Sequence, residues 1–64
     1  MLQIVFYSGK VDSLPAGVLG SEANTRRWAI AFTNNEDIIE TRHFTTGDDG
    51  VESCAVFKNE RYVS

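Results

Sequence analysis

Residues 26–44 read Arg26-Arg27-Trp28-Ala29-Ile30-Ala31-Phe32-Thr33-Asn34-Asn35-Glu36-Asp37-Ile38-Ile39-Glu40-Thr41-Arg42-His43-Phe44, and reading this stretch as a β-hairpin decides the fold class. Trp28, Ile30 and Phe32 alternate with Arg27, Ala29, Ala31 and Thr33, the period of two that marks a half-buried strand. The second arm is rich in β-branched residues. A loop of Asn34-Asn35, or one running from Asn34 to Asp37, places Ile39, Thr41 and His43 on the face of Trp28, Ile30 and Phe32. Asn tolerates positive φ, which suits the primed hairpin turns.

Working outward, Leu2 to Ser8 is an earlier strand, with Leu2, Ile4 and Phe6 on one side and Gln3, Val5 and Tyr7 on the other. Both sides are largely apolar, which places the strand centrally in a sheet. From Lys10 to Thr25 the residues Pro15, Gly17 and Gly20 break every regular period, so the segment reads as a long connection. It holds at most one helical turn, capped by Ser13 and stopped by Gly20, and is read either as packing on the sheet or as a contact surface. Thr45 to Gly50 is a turn cluster, Val51 to Phe57 a strand, and Arg61 to Val63 a last short strand. Asp49 followed by Glu52 has the spacing of a capping box, so a C-terminal helix to Arg61, giving an α+β fold, is the alternative. The expected fold is mainly β: a small antiparallel sheet or partly open barrel of four to five strands in meander order.

Sixty-four residues, 1–64, make a single domain, and a chain of this size buries only about 60% of the surface it exposes when unfolded. Composition is that of a soluble globular protein, 42% hydrophobic and 23% charged, so no segment is read as disordered. The lone Cys54 cannot close an intramolecular disulfide or a thiolate zinc cage, which points to a reducing compartment. The apolar stretch Met1 to Tyr7 is too short for a signal peptide or a membrane span, so a cytoplasmic location is expected. A net charge of −3 opposes binding to a phosphate backbone.

Four constellations carry potential chemistry. His43 and Cys54 could meet across strands as in a thiol enzyme, but nothing signals an orienting group or an oxyanion site, and a histidine capping the core is the preferred reading. Asp48, Asp49 and Glu52 offer oxygen ligands to a hard cation, at a spacing that matches no established loop; a solvated turn is preferred. Arg26, Arg27, Trp28, Phe32, Arg42 and Phe44 have the composition of a single-strand nucleic-acid platform, although on a strand Arg27 and Trp28 face opposite ways. Ala29, Ala31, Ile38, Glu40 and Arg42 share the hairpin's outer face, where small side chains admit a partner.

These readings converge on a small protein-binding module, a regulator, inhibitor or accessory subunit acting through a sheet face or edge. No catalytic residue, cofactor or metal is assigned. The alternative is a structural subunit of a homo-oligomer; a thiol/histidine enzyme ranks third and a single-stranded nucleic-acid binder fourth. Trp28 is expected to anchor the core, its truncation to alanine costing about 3–5 kcal/mol. Cys54 is expected to be a small buried apolar group.

Overall fold

Leu2, Ile4 and Phe6 alternate along a strand that needs a partner on each edge and a cover on one face, and the rest of the chain supplies all three. The computed structural model describes residues 1–63. Strands β1 (Leu2–Phe6), β2 (Val11–Leu14), β3 (Ile38–Thr46) and β4 (Glu52–Lys58) form one open antiparallel sheet; helix α1 (Glu22–Phe32) links β2 to β3, and a 3-10 turn, Glu60–Tyr62, follows β4. The mainly β class is therefore borne out, with β1 central as expected. The order is β2-β1-β3-β4 rather than a meander, because the helix carries the chain from β2 across the sheet to the far side of β1.

The hairpin reading of residues 26–44 is corrected: its first arm is the C-terminal part of α1, and only the second arm is a strand. The cap explains why the helix wins. Ser21 sits in extended backbone and its Oγ accepts from Asn24 N at 3.2 Å, Thr25 Oγ1 donates back to Ser21 O at 3.0 Å, and Glu22 places a negative charge in the first turn. Ala29 and Ala31 are the best helix formers, and Arg26 and Arg27 rank close behind. The buried stripe runs through Thr25, Ala29 and Phe32, spaced four and three apart as a helix requires. Trp28 and Ile30 fall on opposite flanks of that stripe. Trp28 is 45% exposed, its ring tilted against that of Phe32 with centroids 5.5 Å apart, and is not the core anchor.

The expected long connection splits instead into β2, a turn and the start of α1, capped by Ser21 rather than Ser13. β1 and β2 join through Tyr7-Ser8-Gly9, where Gly9 N donates to Phe6 O and Phe6 N to Lys10 O, both near 2.9 Å. Gly9 has φ +94°, the left-handed residue that a three-residue hairpin loop demands.

The core lies between α1 and one sheet face: Leu2, Ile4, Ala29 and Ile38, with Phe6, Leu14, Leu19, Phe32 and Phe57 packed around them. Thr41 and His43 are buried in that layer, as the sequence indicated. Ile38 belongs there too, not on the outer face. A bulge pairs Val5 with Glu40 but Phe6 with Ile38, so Ile39 is the extra residue and the parity of β3 reverses below it.

One buried hydrogen bond ties helix to sheet. At its C-terminus α1 tightens, with Thr33 N, Asn34 N and Asn35 N donating to Ile30 O, Ala31 O and Phe32 O. That shift leaves Ala29 O free, and the fully buried Thr41 donates its hydroxyl there at 2.8 Å. Thr41→Val keeps the shape and strands the carbonyl, an expected loss of about 1–3 kcal/mol by chemical denaturation. Thr41→Ser should restore most of it; equal losses in both variants would mean that packing, not the hydrogen bond, holds the helix.

After β4 the chain is held by Asn59, which is buried and whose Nδ2 donates to Asn35 O at 3.1 Å and Ile38 O at 2.9 Å. The expected strand Arg61–Val63 is the 3-10 turn: Asn59 Oδ1 caps it by accepting from Arg61 N at 3.0 Å. Tyr62 donates to Glu36 O and stacks on Tyr7 with centroids 5.2 Å apart. Residues 52–58 form a strand, so the alternative C-terminal helix is excluded.

Candidate interaction face

Because residues directly opposite one another in a sheet share a face, the register assigns every strand residue to the helix side or the open side. Across the four strands, Val11, Val5, Glu40 and Lys58 form one open-side row, and Ser13, Gln3, Arg42 and Val56 the next; Phe44 and Cys54 continue it. Helix α1 packs on β1 and β3 from the other side, and the 3-10 turn borders the open side only at one end, where Tyr62 and Val63 line a cleft with Ile39, Glu40 and Lys58.

The open face is mixed, and its apolar members are large. Val11 is 51% and Val56 47% exposed, Met1 is exposed at its rim, and Val5 and Phe44 are half-buried between neighbours. At its centre Arg42 Nε donates to Glu40 Oε2 at 2.7 Å. The carboxylate is the more sheltered partner, 17% exposed against 43% for the arginine side chain. A half-exposed pair of this kind contributes at most about 1 kcal/mol, so its main effect is to orient the guanidinium. Among the described residues the terminal guanidinium nitrogens of Arg42 make no hydrogen bond, which leaves a two-pronged donor pointed at whatever approaches the face.

Of the residues predicted for partner binding, Glu40 and Arg42 lie together on this face. Ala29 and Ile38 are buried in the core, and Ala31 is exposed on the helix, on the other side of the sheet. The additional members, Val5, Val11, Phe44 and Val56, lie outside the set expected for partner binding. Their signal was the apolar character of both sides of β1, which marked Val5 as facing something other than water.

The other constellations come apart. His43 points to the helix side and Cys54, opposite Phe44, to the open side, so the thiol and the imidazole are separated by the sheet. Cys54 is exposed, not buried, because β4 is an edge strand with nothing over that side. His43 Nε2 is 2.9 Å from Glu22 Oε2 without the alignment of a hydrogen bond, an electrostatic contact at the mouth of the core. Asp49 Oδ1 accepts from Val51 N at 3.0 Å, shaping the β3–β4 turn, and no cluster among the described residues has the makings of a metal site. Arg26, Arg27, Trp28 and Phe32 lie on the helix, while Arg42 and Phe44 lie across the sheet, so the basic-aromatic platform is not assembled. The guanidinium of Arg26 instead covers the Phe57 ring at 5.8 Å.

No protein-family model matches the chain, and no curated protein or solved structure matches it.

Proposed function

We propose that this protein is a small binding module whose partner is a protein docked on the open face of the sheet, acting as a regulator, inhibitor or accessory subunit rather than by catalysis. The observation that carries this reading is the sheet's one-sidedness: one helix covers one face, and the other exposes Val11 and Val56 around a preoriented Arg42. Exposed apolar side chains ringed by polar ones mark interaction surfaces. The chemistry of the face asks for a partner that presents apolar side chains and a carboxylate within reach of the free guanidinium nitrogens. A lone exposed thiol is at home in a reducing compartment, so the cytoplasm is the proposed location. No helix of the described residues is long and apolar enough to cross a membrane.

A photo-reactive residue placed at Val11 is expected to give a discrete protein adduct in a native extract, and one placed at Arg27, on the outward side of α1, is not. Unlabelled wild-type protein should suppress the adduct. Val11→Glu, which changes an exposed site and should alter stability by no more than about 0.5 kcal/mol, should compete at least about tenfold less well. An adduct that forms from position 27 and not from position 11 would move the binding surface to the helix.

A further inference from the structure

The two edges of the sheet are guarded very differently. β2 has four residues and turns Asp12 toward the helix side, opposite Ile4; short length and an inward-pointing charge are the usual defences of an edge strand. β4 has seven residues, no proline, and only Ser53, Ala55 and Phe57 on the helix side. At the two ends of the β3–β4 ladder Asn59 N donates to Ile39 O at 2.8 Å and Gly47 N to Val51 O at 2.9 Å. Alternation between these points leaves the N–H and C=O groups of Glu52, Cys54, Val56 and Lys58 directed outward, unpaired within the sheet.

We propose that this edge pairs, antiparallel, with the same edge of a second copy of the chain, about a two-fold axis passing at Ala55. Ala55 is the midpoint of β4, so this register pairs the whole strand. Each outward residue then meets an outward residue: Cys54 faces Val56 of the partner subunit, and Glu52 faces Lys58 of the partner subunit. Glu52 and Lys58 make no ion pair within the chain among the described residues, and the two-fold pairs both at once. Sliding one rung sets Lys58 against Cys54 in one direction and Glu52 against Val56 in the other, losing both charge pairs. The axis itself is lined by a methyl group on each side, which lets the strands approach. An isologous contact of this kind closes on itself, and the two open faces become one continuous surface.

This inference extends the binding reading but stands on the β4 edge alone, and its test leaves the cross-link from Val11, on the opposite edge, undisturbed. Wild-type protein is expected to show a native mass twice its 7.1 kDa. Glu52→Lys and Lys58→Glu should each weaken self-association at least about tenfold, and the double exchange should restore it. Register is read by disulfide formation. Across the axis the two Ala55 positions form a non-hydrogen-bonded pair with Cα atoms about 4.5 Å apart, within disulfide range, whereas the two Cys54 residues lie diagonally at about 7–8 Å, beyond it. On oxidation, Cys54→Ser/Ala55→Cys should become a covalent dimer, while wild-type protein and Cys54→Ser/Ser13→Cys stay monomeric on a non-reducing gel. A monomeric native mass into the high micromolar range, no rescue by the charge exchange, or cross-linking through position 13 instead of 55 would each overturn the proposal.

Discussion

Leu2→Ala is expected to cost about 3–5 kcal/mol and to leave much of the chain unfolded at room temperature. Leu2 is fully buried, and it sits on the central strand opposite Leu14 on one side and His43 on the other, beneath α1. Among the described residues it is one of four buried apolar residues, so no neighbouring mass of side chains can relax into the space it vacates. A domain of this size has a total stability of only about 3–10 kcal/mol, so one such cavity removes a large share of it. Thermal denaturation followed by circular dichroism reads the effect, at roughly 4–8 °C per kcal/mol for a domain of this size. A fall of less than about 5 °C would mean that the core is held together elsewhere.

The same smallness explains what could and could not be read from the sequence. β1, β3 and β4 announce themselves because their apolar residues alternate and their turns carry Gly, Asn and Asp. β2 does not: Val11-Asp12-Ser13-Leu14 is short, half polar and preceded by Gly9-Lys10, and it becomes a strand because β1 offers it an edge. Helix α1 hides its own signal. Its two buried positions are Thr25 and Ala29, with Phe32 partly buried beside them, so the stripe facing the core carries little hydrophobicity, while the large apolar side chains Trp28 and Ile30 lie on the flanks. They happen to sit two apart, which imitates a strand. The local chemistry at the start, Gly20-Ser21 with Asn24 and Thr25 returning hydrogen bonds, is the signal that outweighs the alternation.

The proposed interaction face is legible in part for a related reason. Glu40 and Arg42 belong to a segment correctly read as a strand, so their shared side followed from parity alone. Ile38 lies on the same strand and has the same parity, yet it turns inward, because the bulge at Ile39 changes which residues oppose β1. A bulge adds one residue without changing composition, and no pattern of apolar residues on one strand reports it. Ala29 and Ala31 were grouped with that face only through the hairpin reading.

Those two alanines separate the two readings by experiment. On a strand, residues two apart point the same way, so arginine at position 29 or at position 31 would be felt alike. On a helix they are about 200° apart. Ala29 is fully buried against β3, where its carbonyl receives the Thr41 hydroxyl, whereas Ala31 is exposed. Ala29→Arg forces a long charged side chain into that contact, which both overpacks it and buries a charge without a partner, and a loss of more than about 3 kcal/mol is expected. Ala31→Arg exchanges one good helix former for another at a solvated site and should lie within about 0.5 kcal/mol of wild type. Urea unfolding of the two variants side by side measures the difference. Comparable losses would return residues 26–32 to a strand and remove the cover from the core, while the expected disparity fixes α1 as the element that covers one face of the sheet and leaves the other open.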